Sequence, residues 1–366
     1  MKTLHILIVT RNRLSGLVDA LYSVKRLNFI LQNLINIEVT IQDNSDEPAP
    51  SSIIFYFEKF FFLRYFKTSR ILPMSQNWHE GLKRVIVQCP DYISVLADRR
   101  LVSANLFNAV KHLEEKKQLF ICFDHQDVWI NSEQILVRNH TYGLQAYTHV
   151  DLLKAIGSAQ INWHHPMLFN CLLTTEFMIR LFERYGSFAE GSSPDMNFLA
   201  RVADLGIDNY YTYDAPCIVT NARHAATSNG SSALKIGTIY DNEHTRLSGI
   251  EAYPNYMENF VSANITGSLA RYWSDSQMRS LIVPDKFYNS ALLELSYPMS
   301  EKAFLAMKSS LRHFANDYCL DRDTRSLVDH VQHSPACNQR YPIDSNPGLQ
   351  NAPTFSLMVQ VENITV

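Results

Sequence analysis

The sequence predicts an α/β fold built on a doubly wound, mostly parallel sheet. Short apolar runs at residues 4–9, 37–41, 92–97 and 119–123 have the length and continuity of strands buried on both faces. Between them, apolar residues recur at intervals of three and four, the period of a helix with one apolar face. The connections are short, so strand, helix and strand alternate as βαβ units with right-handed crossovers.

Composition narrows the class of protein. At 366 residues, 46% hydrophobic and 19% charged, the chain is long enough for one large domain and an appendage. Its 33 Lys and Arg against 36 Asp and Glu leave a formal charge of −3, which argues against general nucleic-acid binding. Cys89, Cys122, Cys171, Cys217, Cys319 and Cys337 are scattered without a CxxC pair, which reads as buried free thiols in a reducing compartment rather than disulfides or zinc. The first residues are too short and too polar a run for a signal peptide, and no apolar stretch approaches the ~20 residues of a membrane helix. A cytoplasmic protein is expected.

In chain order, the first run stops at the polar turn Thr10, Arg11, Asn12 and Arg13. Leu14, Leu17, Leu21 and Val24 then mark a helix, and the second run ends at Asp43 and Asn44, in a loop closed by Pro48 and Pro50. The aromatic residues between 55 and 66 suit a helix and a strand that feed the core. Ser75 reads as the cap of a helix carrying Trp78, Leu82, Val85 and Ile86. The run 92–97 breaks off at Asp98, followed at once by Arg99 and Arg100. Carboxyl ends of strands are where open α/β sheets bind ligands, so Asp98 sits where a phosphate or its metal would be handled, and Thr10, Asp43, Asp195 and His224 make sense as converging on it. Ser103 caps a helix through Leu106, Val110 and Leu113. Antiparallel strands are expected near residues 135–137 and 145–147, and a helix over 172–185 ended by Gly186. Ser193 and Pro194 open another helix, with Phe198, Leu199, Val202 and Leu205 on its apolar face and Gly206 at its end. Phe304, Met307, Leu311, Phe314 and Tyr318 form a helical stripe that needs a partner, and residues 334–366 read as an extended tail. Neither GxGxxG nor GxxxxGK[ST] is present, which excludes the two commonest uses of such a sheet.

Five features together resemble the family-two inverting glycosyltransferases of the GT-A fold. Thr10 to Arg13 resembles the family's T-x-N-R turn after the first strand, and Asp43 to Ser45 its D-N-S after the second. Asn77 with Gly81 is similar to its N-x-x-x-G. Asp98 falls where the family has D-x-D, and Asp195 with Arg201 and Gly206 resembles its acid, arginine and glycine on a helix. The likeness covers residues 1–240 and implies a GT-A domain there, a C-terminal helical region at 241–333 and the tail beyond.

The resemblance implies transfer of a sugar from a nucleotide-sugar donor to a hydroxyl of a glycan or glycolipid, as in capsule or lipopolysaccharide assembly. Thr10, Arg11, Asn12, Arg13, Asp43, Asn44, Asn77, Asp98, Arg99 and Arg100 would line the donor site, and Asp195 would be the general base. The family holds Mn or Mg on its D-x-D, which implies Asp98 and His224 as ligands here. Arg100, however, stands where the second acid would be. A guanidinium can meet the charge of a leaving diphosphate as a metal does, so metal dependence is expected to be weak or absent. Trp163, His164 and His165 are candidates for the acceptor; two adjacent histidines with no partner three or four residues away do not make a zinc site. Peripheral association with the inner face of a membrane and homo-oligomers through the C-terminal helices are further expectations. The loss of the second acid also fits another class, a non-catalytic module that binds sugar-nucleotide or protein on the same fold.

Overall fold

The computed structural model describes residues 1–126, 129–130, 135–136, 140–162, 164–191, 194–220, 252–257, 260–296, 299 and 301–333. The first half follows the expected alternation: β1 (Thr3–Thr10), α1 (Leu14–Leu31), β2 (Asn36–Asp43), α2 (Ser51–Phe57), β3 (Phe62–Lys67), α3 (Met74–Ile86) and β4 (Tyr92–Ala97). Then come β5 (Arg100–Val102), α4 (Asn105–Glu115), β6 (Phe120–Gln126), β7 (Trp129–Ile130), β8 (Ile135–Leu136), β9 (Leu144–Thr148) and α5 (His149–Gly157). A 3-10 turn (Leu168–Asn170) leads into β10 (Cys171–Thr174), α6 (Thr175–Tyr185), α7 (Pro194–Asp204) and β11 (Asn209–Thr220). The C-terminal helices are α8 (Val261–Ala270), α9 (Asp275–Leu281), α10 (Pro284–Leu295), α11 (Glu301–Asp317) and α12 (Arg322–His330).

Nine strands form one sheet in the order β3-β2-β1-β4-β10-β6-β11-β5, with β9 paired to β11. The first four are parallel and in register, as the buried apolar runs predict. Beyond β4 the sheet is mixed, because β10 enters antiparallel between β4 and β6. This is the expected α/β class, a mostly parallel sheet with helices on both faces. The helix expected over 172–185 therefore begins later. Cys171–Thr174 is a strand, and Thr174 caps the helix by accepting a bond from Phe177 N at 3.2 Å. Gly186, at φ +70°, ends it as expected.

Two apolar cores cover the faces of the sheet. One joins Leu4, Ile6 and Ile8 to α1, α2 and α4; the other joins Leu7 and Val9 to α3, α6 and α7. On α3, Trp78, Leu82 and Val85 face inward, and the helix begins at Met74 with Pro73 before it, one residue ahead of the expected cap. Its Gly81 lets it lie on the sheet, since a Cβ there would come within 2.9 Å of a Leu7 methyl. The stripe on α11 finds its partner within the chain, with Phe314 stacked on Phe287 of α10 at 5.3 Å. The C-terminal helices meet the sheet domain where Ile265 and Leu269 of α8 join the α7 core.

All five described cysteines are free thiols; Cys122, Cys171 and Cys217 are buried as expected, whereas Cys89 and Cys319 are exposed in left-handed turns after helices. Among the described residues no helix is long and apolar enough to cross a membrane. The expected tail lies outside the described residues.

Candidate active site

The carboxyl ends of β2, β1 and β4 bring three predicted residues onto one rung. Thr10 pairs with Asp43 across β1 and β2, and Val9 pairs with Ala97, so Asp98 falls beside Thr10. Asp98 is 2% exposed, and Oδ2 accepts from Thr10 Oγ1 at 2.9 Å and from Arg11 N at 3.2 Å. Its Oδ1 accepts from Arg13 Nη1 at 3.2 Å. Asp98 thus ties the end of β4 to the loop before α1, with a guanidinium balancing its charge.

Asp43 is equally enclosed. It accepts from Tyr65 Oη at 2.6 Å and from Ser45 N at 2.8 Å. Burial, and then the bond to Asp43, holds the Tyr65 phenol well above its ordinary range, so it stays a donor. Asn12 adopts a left-handed φ of +55°, which asparagine tolerates, and its side chain exchanges two 2.8 Å bonds with Asp46. These contacts wall a cleft of about 370 Å³ lined by Thr10, Asn12, Arg13, Asp43 and Ser45, a size that suits a nucleoside.

Other predicted residues brace this edge. Asn44 spends its side chain on the loop after β3, donating to Leu72 O and accepting from Leu72 N, both at 2.8 Å. Asn77 accepts from Gln42 Nε2 at 3.1 Å on the α3 face. Arg100, which the sequence sets where a second acid would stand, does not continue the strand from Asp98: Asp98 and Arg99 form a turn, so the strand's two-residue period is broken between them. Arg100 begins β5, is 7% exposed and lies over the Phe169 ring at 4.9 Å.

Asp195 occupies the first turn of α7, partly buried, where the helix dipole favours a carboxylate. Because α7 precedes β11, which is parallel to β6, its N-terminus lies at the same carboxyl edge as Asp98. The helix body packs with α3, on the face of the sheet opposite α1. Arg201 is fully buried and holds the preceding loop, donating to Ser187 O at 2.6 Å and pairing with Glu190 at 3.1 Å.

His165 is 6% exposed, its ring turned onto Asn162 of its own loop, and burial lowers its proton affinity. His164 lies against the Tyr147 ring at 5.6 Å. Trp163, Ser193 and His224 lie outside the described residues.

Among the described residues, one group can hold a metal ion: Asp124, His140 and Asp214, whose ligand atoms lie within 4.8 Å of one another. Asp98 is not part of it. The sequence carried one signal for this group, since Asp124 ends an apolar run as Asp98 does. Nothing in the spacing joins it to His140 or Asp214.

No protein-family model and no curated protein matches the chain. Among solved structures, S. aureus TarS 1-349 in complex with UDP-GlcNAc is 12% identical with a TM-score of 0.49, over 90% of each chain. A longer S. aureus TarS structure is 11% identical with a TM-score of 0.47, over 90% of this chain, which spans 55% of that one. The mannosyltransferase PcManGT from Pyrobaculum calidifontis in complex with GDP-Man and Mn2+ is 12% identical, with a TM-score of 0.42 over 89% of this chain and 83% of that one. Likeness at this level does not specify chemistry, which is argued from the site.

Proposed function

We propose that the chain is an inverting glycosyltransferase that moves a sugar from a nucleotide-sugar to a hydroxyl of a glycan or glycolipid acceptor. The observation that supports it most is the rung of Thr10, Asp43 and Asp98, which borders a nucleoside-sized cleft at the carboxyl edge. In this reading Asp43 and the loop after it receive the nucleoside, with Asn44 and Asn77 fixing that loop and the neighbouring strand. Arg13, its side chain 44% exposed and one nitrogen on Asp98, turns the rest of its guanidinium to the diphosphate.

The acceptor oxygen attacks the anomeric carbon from the face opposite the diphosphate. Its proton passes to Asp195 as the new bond forms, and the diphosphate departs with the electron pair of the broken bond. The charge gained by the leaving group is met by Arg13 and Arg99 rather than by an ion on Asp98, whose two oxygens already accept three bonds.

The same use of both Asp98 oxygens in holding the loop favours a second reading, a module that binds nucleoside diphosphates without turning a donor over. One experiment separates them. The purified chain is screened against nucleoside diphosphates by thermal shift and against nucleotide-sugars by release of diphosphate. A transferase releases it, and Asp195→Asn lowers that rate by about 100- to 10,000-fold with nucleotide affinity unchanged. Binding with no release in either protein selects the module, and absence of binding sinks both.

A further inference from the structure

We propose that Asp124, His140 and Asp214 form a binding site for a divalent first-row metal ion. The three side chains come from β6, the segment before β9, and β11, and are 3%, 1% and 4% exposed. His140 Nδ1 lies 3.3 Å from Asp124 Oδ2 and 3.2 Å from Asp214 Oδ1. One imidazole N–H has one proton to give, so two carboxylates converging on it share that proton only in a bent, three-centre contact. The spacings are instead those of neighbouring ligand atoms around a common ion, which at metal–ligand bonds of about 2.1 Å stand roughly 3.0–3.4 Å apart.

The donor set agrees: two carboxylates and one imidazole are ligands that a divalent first-row ion takes. The second carboxylate is also aimed. Thr141 donates to Asp214 Oδ2 through N at 2.9 Å and Oγ1 at 2.6 Å, leaving Oδ1 for the centre, as outer hydrogen bonds do at metal sites. Backbone bonds fix the segment: Tyr142 N donates to Asp214 O and Asp214 N to Gly143 O, both at 2.9 Å. Just beyond Asp214 the register of β11 on β6 shifts, and such an irregularity re-aims side chains at a sheet edge.

One imidazole nitrogen with two carboxylates suits Mn2+ or Zn2+ better than Ca2+. The site lies at the carboxyl edge, since Asp124 is three residues beyond the rung that joins Ser94, Leu172 and Ile121. That places it two strand spacings, roughly 10 Å, from β4. Binding there does not depend on the transferase reading, and it is measured without nucleotide.

The purified full chain, stripped by chelator, is dialysed against Mn2+ or Zn2+ and assayed for metal content and melting temperature. The expected result is about one ion per chain with a raised melting temperature. Asp214→Asn and His140→Gln should each weaken uptake at least ~10-fold, and Thr141→Val by about 10-fold through the lost orientation. Nitrogen hyperfine coupling to bound Mn2+ in the unmodified chain reports the imidazole directly, whatever the variants do to folding. No uptake of either metal, uptake unchanged in His140→Gln, or bound Mn2+ without that coupling overturns the proposal.

Discussion

Arg13 Nη1 stands 3.2 Å from Asp98 Oδ1, so the turn before the first helix and the end of the fourth strand share one ion pair. The acid is enclosed while the arginine is 44% exposed, so solvent screens one side of the pair only. Arg13→Ala should cost about 1–2 kcal/mol, chiefly because a buried carboxylate loses one of its donors. Asp98→Asn should abolish most of that cost, giving a coupling near ~1 kcal/mol in a double-mutant cycle followed by urea unfolding. Strict additivity of the two changes would mean that the pair does not hold the loop.

The same edge shows what a sequence can and cannot disclose. Thr10, Asp43 and Asp98 were legible because each ends an apolar run, and parallel strands in register bring such ends together. Strand β10 was not, because Cys171 to Thr174 flows into a helix without a break, and four residues are too few to separate a period of two from one of 3.6. The turn at Asp98 and Arg99 was hidden too, since Asp98, a turn former by itself, is followed by two arginines with no Gly or Pro to mark a reversal. His140 and Asp214 are joined only by the folding of β9 and its approach onto β11, which no local spacing encodes.

Asp43 and Tyr65 give a test of the cleft proposed for the nucleoside. The phenol donates at 2.6 Å and aims the carboxylate beside the cleft. Asp43→Ala should lower nucleoside diphosphate affinity by roughly 10- to 150-fold, the worth of a hydrogen bond to a charged group. Tyr65→Phe keeps the charge and loses only its aim, so a smaller loss is expected. Isothermal titration measures both. Equal affinity in Asp43→Ala and the unmodified chain removes the cleft from the donor site.

Two buried groups should give stability opposing pH trends. Burial, then the Arg64 charge, depresses His5 to about 4, while enclosure raises Glu294 to about 7 despite bonds from Val261 N and Ser262 N at 2.7 and 3.1 Å. For His5 the unfolded chain binds the extra proton, so its share of stability is full above the ordinary histidine range and is lost as pH falls toward 4. For Glu294 the folded chain holds the proton, so its share is full at the ordinary carboxylate range and is lost as pH rises through 7. Each swing is about 3 kcal/mol, and they offset each other across mildly acid pH. Urea midpoints should then fall with rising pH in His5→Gln and rise in Glu294→Gln. Parallel profiles in both variants would show that neither group sets the slope.

Gly157 and Gly81 separate two kinds of close approach. A Cβ on Gly157 would lie 2.0 Å from the carbonyl oxygen of Leu281, and the same junction carries a 2.8 Å bond from Val283 N to Gly157 O. Backbone meets backbone there, so no rotamer relieves the overlap, and α5 must part from the end of α9. A Cβ on Gly81 would instead meet a Leu7 methyl at 2.9 Å and Gln42 Cβ at 3.2 Å, and the methyl can turn aside. Gly81→Ala also gains up to ~1 kcal/mol of helix propensity, which offsets much of the crowding. Gly157→Ala is therefore expected to cost about 3 kcal/mol or more and to loosen the C-terminal helices, seen as faster amide exchange in α9 and α10. Gly81→Ala is expected to lie within about 1 kcal/mol of the unmodified chain. Should the two substitutions cost the same, the contact at Leu281 is not what fastens the C-terminal helices to α5.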